Sequence, residues 1–125
     1  MTLTTADRKY ILNSVLEAVA GVANKEYQKR VWLRGEGPEF DDYGETVCNF
    51  FEDSEPMLKE YKKFNISEKQ YQILTTFYKE FDAFDDNHFH PLEFIDSPEW
   101  GKIMSRAKEV LKAFNYQEKK DWKIT

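Results

Sequence analysis

Apolar residues recur at three- and four-residue spacing along most of this chain, and that spacing limits the folds open to it. The first such stripe consists of Leu12, Val15, Leu16, Val19, Val22 and Ala23. Spacing of this kind places apolar side chains on one face of an α-helix. No segment sustains the alternation of apolar and polar residues that is typical of a half-buried strand. The sequence therefore predicts an all-α fold.

Capping residues indicate where several of these helices begin. Thr4 followed by Asp7 matches the capping-box pattern, in which side chains bind the free backbone N–H groups of a helix start, and predicts a helix over residues 4–23. Ser67 followed by Gln70 is a second capping box, and we expect a long helix after it. Ser97 lies directly before a proline, which is tolerated at the first position of a helix.

The segments between these helices are less regular. Residues 24–33 continue a helical face, with a short strand at residues 31–33 as the alternative. Residues 35–39 form the clearest break, because Gly35 and Gly37 adopt positive φ readily. Asp42 then begins another helix. We expect that helix to end near residues 53–55 and a new one to start at Pro56.

Later in the chain, Asn65 and Asn115 are expected helix ends, and residues 92–95 are expected to form a single turn. The result is a bundle of about five or six helices around a core of Phe, Leu and Tyr. A chain of 125 residues fits one domain. We assign residues 1–116 to a single helical domain and residues 117–125 to a charged C-terminal tail.

The chain contains a single cysteine, Cys48, which excludes an internal disulfide and a cysteine-rich zinc site. A free cysteine is most often a small buried hydrophobic residue, and we expect this for Cys48.

The first residues do not resemble a signal peptide, and no apolar run approaches the roughly 20 residues that span a bilayer. We therefore expect a cytoplasmic protein that does not associate with membranes.

Charge is distributed in blocks, although the net charge is only −5. Residues 35–58 hold eight acidic residues and residues 80–101 hold seven, and neither block contains Lys or Arg. If the two blocks lie together, they form a strongly negative surface that attracts cationic proteins and repels nucleic acid. The alternative is that acidic residues simply occupy helix starts and loops.

No motif in the sequence indicates catalysis, so we expect a binding protein without a cofactor rather than an enzyme. The nearest candidate is a metal site formed by His88, His90 and Asp85, since imidazole and carboxylate groups bind zinc and iron. No further histidine supports it. Binding of nucleic acid requires a basic surface, whereas the isoelectric point here is about 5.1.

The acidic segment from residue 36 to residue 43 contains aromatic residues among its carboxylates. Carboxylates accelerate encounter with a basic protein, and aromatic side chains supply binding energy. The alternative for Phe40 and Tyr43 is that they pack inward. With the start of the second acidic block added, the candidate partner-binding residues are Glu36, Glu39, Phe40, Asp41, Asp42, Tyr43, Asp82, Asp85 and Asp86.

Two segments resemble small helical immunity proteins of bacterial polymorphic-toxin and contact-dependent growth inhibition systems. They are residues 31–51, with the sequence VWLRGEGPEFDDYGETVCNFF, and residues 96–100, with the sequence DSPEW and the helix that follows. The resemblance implies a protein without catalytic activity that binds one cognate toxin in the cytoplasm. Many such toxins are nucleases with basic clefts.

Composition and resemblance together predict an immunity protein that neutralises a cationic toxin, most simply a nuclease, through an acidic surface. We expect it to act as a monomer rather than a homodimer. The first alternative is an acidic adaptor or chaperone for a basic protein segment. The second is a metal-dependent enzyme that uses the loop with His88 and His90.

Overall fold

The described residues of the computed structural model are 3–37, 41–88 and 90–116, and they form helices and connecting loops without a strand. This confirms the predicted all-α class. The elements are α1 (Thr5–Ala23), α2 (Lys25–Tyr27) continued by a π-helical segment (Gln28–Leu33), α3 (Tyr43–Lys59), a 3₁₀ turn (Tyr61–Phe64), α4 (Glu68–Asp85), α5 (Pro91–Phe94) and α6 (Pro98–Ala113).

The helix starts predicted at Thr4, Ser67 and Ser97 are confirmed. Thr4 and Asp7 form a complete capping box before α1, and Ser67 and Gln70 form one before α4. The side chain of Ser97 accepts a hydrogen bond from the first turn of α6, whose first residue is a proline. These starts depend on contacts within four residues, which explains why the sequence predicts them well.

The predicted helix break before Pro56 is wrong, because α3 runs without interruption from Tyr43 to Lys59 with Pro56 inside it. Proline removes the hydrogen bond to the carbonyl four residues earlier, here that of Glu52. Glu52 and Pro56 are both exposed, so water can replace the missing donor. The buried residue Met57 and the contact of Asp53 with Ser14 of α1, at 2.7 Å, hold this part of α3 against the core.

Residues 28–33 are helical, so the alternative of a short strand there is wrong. The π-helical segment ends at Arg34, and Gly35 follows with a φ of 64°. Asn65 and Asn115 also have positive φ, at 59° and 51°, and end the 3₁₀ turn and α6 as predicted. Asparagine tolerates this left-handed conformation better than most residues.

The four long helices, α1, α3, α4 and α6, form a bundle. Helix α1 packs against both α3 and α6, and α4 packs against α6. Between α3 and α4 the space is filled by aromatic rings, with Phe50 lying 5.2 Å from Phe77 and Phe51 lying 4.9 Å from Tyr78 between ring centroids. The hydroxyl of Tyr43 lies 2.8 Å from the carboxylate of Asp85, so the start of α3 and the end of α4 lie at the same end of the bundle.

The buried core is richer in valine and poorer in leucine and tyrosine than we predicted. Six phenylalanines and five valines are buried, whereas buried leucines number two and the only fully packed tyrosine of the described residues is Tyr43. Most other tyrosines pack half-buried at the edge of the core, where the ring is covered and the hydroxyl group is accessible to polar partners.

Candidate functional site

An aromatic cluster brings five chain segments together at one end of the bundle. We call this end the acidic end, because residues of both acidic blocks, including Asp42 and Asp86, lie there. Tyr43 is at the centre of this cluster, with its ring 5.6 Å from Trp32, 5.0 Å from Phe94 and 6.0 Å from Trp100. The ring of Phe81 on α4 lies 6.3 Å away. The starts of α3 and α6 and the ends of α4 and α5 therefore meet here, beside the π-helical segment.

Gln28 fixes the π-helical segment to this cluster. Its side chain is fully buried, and its amide donates to the carbonyl oxygens of Gly21 and Val22 at 3.0 and 2.8 Å. Its amide oxygen accepts a hydrogen bond of 2.9 Å from the indole N–H of Trp100. One buried side chain thus satisfies the end of α1 and the indole of α6 together.

Asp41 lies two residues before the first residue of α3, and its carboxylate faces inward. It accepts hydrogen bonds from the hydroxyl of Tyr27 at 2.6 Å, the indole of Trp32 at 3.2 Å and the hydroxyl of Thr46 at 3.0 Å. A carboxylate that satisfies three internal donors stabilises the junction between the π-helical segment and α3. Asp41 is therefore corrected from a candidate partner contact to a structural residue.

Tyr43 also faces inward, so its assignment as an aromatic anchor for a partner is wrong. Only 4% of the residue is exposed, and its hydroxyl donates a hydrogen bond of 2.8 Å to the carboxylate of Asp85. Burial raises the pKa of Tyr43 above its ordinary value, and the hydrogen bond and charge of Asp85 raise it further. Asp85 is half-buried and is likewise occupied by this contact.

The Tyr43–Asp85 hydrogen bond joins the two acidic blocks, which the sequence could not place relative to each other. Asp42 and Asp86 are the chain neighbours of the bonded pair, and both are exposed. Asp82 lies one helical turn before Asp85, and Glu45 lies one turn into α3; these two are also exposed. We call these four residues, Asp42, Glu45, Asp82 and Asp86, the outer carboxylates.

The outer carboxylates differ in their internal roles. Asp42 accepts a hydrogen bond of 2.7 Å from the backbone N–H of Glu45 and so caps α3. None of the four forms an ion pair with any residue in the part of the chain that the structure describes. Glu45 was not among the predicted contacts, although its place in the first acidic block was a signal for it.

Two other acidic residues at this end, Glu36 and Asp96, are paired with cations. Glu36 is exposed but forms an ion pair of 3.2 Å with Arg34. Asp96 lies 3.3 Å from Lys25 and 3.9 Å from Lys29. The cations of the π-helical side therefore neutralise one flank of the acidic end, and the carboxylates at the junction of α3 and α4 keep their charge without a paired cation among the described residues. Glu39 and Phe40 lie outside the described residues.

Comparisons with known proteins do not identify a relative of this chain. No family model, curated protein or solved structure matches it. The resemblance to immunity proteins therefore stays a prediction.

The loop with the two histidines does not bring together a set of metal ligands. Across residues 3–37, 41–88 and 90–116, no group of three or more His, Cys, Asp or Glu side chains is placed to hold a metal ion. The Nδ1 atom of His88 lies 2.8 Å from the carbonyl oxygen of Phe84, and its ring stacks on the Phe84 ring at 3.9 Å. The loop thus continues the aromatic packing at the end of α4.

Cys48 is exposed on α3, so its predicted burial is wrong. It lies one turn after Glu45, on the side of the helix opposite the buried residue Phe50.

None of the described helices has the length and apolar character needed to cross a membrane.

Proposed function

We propose that this protein binds and neutralises a cationic protein, a bacterial toxin domain with a basic nucleic-acid cleft, through the outer carboxylates. The observation that carries the proposal is the convergence of two acidic blocks at the α3–α4 junction, where the four carboxylates are exposed and without ion pairs among the described residues. A cleft that binds phosphates presents Lys and Arg side chains, to which such a surface is complementary.

The rigid support beneath these carboxylates favours this role. Asp42 is held by its capping bond, and Asp82 and Asp86 lie on either side of a residue bonded to buried Tyr43. Carboxylates fixed on packed helices lose little conformational freedom when a partner binds, which reduces the free-energy cost of association.

The first experiment is a pull-down with the tagged protein against the product of the gene immediately upstream, followed by growth rescue in cells that express that product. The proposal expects tight binding that weakens as salt is raised, together with rescue of growth. Binding without rescue would favour the adaptor alternative. Absence of both binding and rescue would contradict the proposal for that partner.

A matched pair of variants then tests the surface. Asp82→Asn with Asp86→Asn removes two outer charges, while Glu52→Gln with Glu109→Gln removes two exposed charges away from the acidic end. The proposal expects the first pair to slow association roughly three- to tenfold at low salt, because such charges steer encounter. Equal rates for both pairs would show that the outer carboxylates do not form the binding surface.

A further inference from the structure

The end of the bundle opposite the acidic end contains a basic cleft. It lies between the first turns of α1 and the 3₁₀ turn and has a volume of about 470 Å³, within the range of about 300–1,000 Å³ that small-molecule sites occupy. Every charged residue that lines it is a cation: Arg8, Lys9, Lys62 and Lys63. The cleft is therefore positively charged although the net charge of the chain is −5.

The guanidinium group of Arg8 is held in place at the cleft. It is half-buried and donates hydrogen bonds to the carbonyl oxygen of Leu3 at 2.7 Å and to the hydroxyl of Thr5 at 3.4 Å. Since a guanidinium group carries five N–H donors, others stay available to a ligand. A pre-oriented guanidinium group is well suited to the planar edge formed by two phosphate oxygens.

The three lysines complete the cationic wall. Lys9 and Lys62 are exposed and form no ion pair with any of the described residues. Lys63 forms an exposed ion pair of 3.2 Å with Glu60, which a more highly charged ligand can replace. Asp7, the chain neighbour of Arg8, accepts a hydrogen bond from the backbone N–H of Thr4. Neither Asp7 nor Glu60 lines the cleft.

The floor of the cleft is apolar. Leu12 is half-buried and Phe64 is 6% exposed, and both line the cleft beneath the cations. Asn65, with its φ of 59°, turns the chain away at the edge and lines the cleft as well. An apolar floor below a cationic wall suits a small organic molecule that carries phosphate.

We infer that this cleft binds a small phosphorylated molecule with at least two negative charges. Two chain segments contribute four positive charges to the cleft, which is more than is needed to balance a singly charged anion. The apolar floor accommodates an organic part attached to the phosphate. The site is separate from the outer carboxylates, and the inference does not depend on the proposed function.

The test is calorimetric titration with inorganic pyrophosphate at constant ionic strength. The test variant is Lys9→Gln with Lys62→Gln, and the control is Lys79→Gln with Lys102→Gln; both lower the charge by two at exposed positions. We expect saturable binding to the native protein and the control. We expect the test variant to bind at least about tenfold more weakly, because charge-assisted hydrogen bonds are lost.

A second measurement locates the bound anion without substitutions. Pyrophosphate added to the native protein should shift the backbone amide resonances of Thr5 and Asn65 in an NMR titration, with the same midpoint as the calorimetry. Absence of saturation, equal weakening in both variants, or shifts confined to other residues would each overturn the inference.

Discussion

Asp41 and Asp85, which we call the inner carboxylates, come from the same two stretches of sequence as the outer carboxylates but have different surroundings. Asp41 and Asp85 accept hydrogen bonds from buried or half-buried groups, whereas Asp82 and Asp86 are exposed. Adjacent acidic residues can therefore have opposite roles, and composition alone does not separate them. The buried and the exposed acidic residues of a charge block must therefore be separated before any of them is assigned to a binding surface.

The largest expected effect tests the buried polar network beside the inner carboxylates. Gln28→Ala should lower the free energy of unfolding by about 3 kcal/mol, because it leaves a cavity and the Trp100 indole without its acceptor. Urea unfolding measures the change. Gln72→Ala, at an exposed position of α4, is the control and should change stability by less than about 0.5 kcal/mol.

Removal of the Tyr43 hydroxyl group is expected to have the next largest effect. Tyr43→Phe should cost about 1 kcal/mol at neutral pH, because it leaves the half-buried Asp85 without this donor. Since the pKa of Tyr43 is raised in the folded state, the unfolded chain releases the proton first, and stability falls as pH rises above about 10. Urea unfolding between pH 8 and 11 should show a shallower decline for the variant; an unchanged slope would contradict this account.

Asp42 is an outer carboxylate that also caps α3. The contributions of its negative charge and of its capping hydrogen bond to stability can therefore be separated. Asp42→Ala removes the α3 cap and should cost about 1 kcal/mol, whereas Asp42→Asn keeps a capping oxygen and should cost only a few tenths. Thermal unfolding of the two variants measures the difference. Equal losses would show that the charge of Asp42, rather than its cap, stabilises α3.

The smallest expected effect is that of the remaining outer carboxylates. Asp82→Asn with Asp86→Asn should change the free energy of unfolding by less than about 0.5 kcal/mol, because both side chains are exposed and lack ion pairs among the described residues. Urea unfolding provides the measurement. A loss comparable to that of Tyr43→Phe would place these residues among the inner carboxylates.

Contacts between residues close in the chain made the helix starts predictable. Which acidic residues are buried and which are exposed depends instead on the tertiary structure. The helix starts at Thr4, Ser67 and Ser97 follow from contacts a few residues apart. The continuity of α3 through Pro56 depends instead on packing against α1, which no local pattern contains.

The candidate site also depends on contacts between residues that are far apart in the chain, which no local pattern contains. The donors to Asp41 are up to 14 residues away in the chain, and Asp85 is 42 residues from Tyr43. The orientation of these side chains is therefore set by the fold. Glu45 could have been included from the sequence, because it belongs to the first acidic block and lies at a position that a helix starting at Asp42 exposes.

The most direct test of the division between inner and outer carboxylates is a comparison of Asp41→Asn with Asp82→Asn in urea unfolding at neutral pH. Each substitution removes one negative charge and preserves the size of the side chain. The account predicts a loss of about 1 kcal/mol or more for Asp41→Asn, because an amide cannot accept all three hydrogen bonds. It predicts less than about 0.5 kcal/mol for Asp82→Asn. Equal stabilities for the two variants would contradict it.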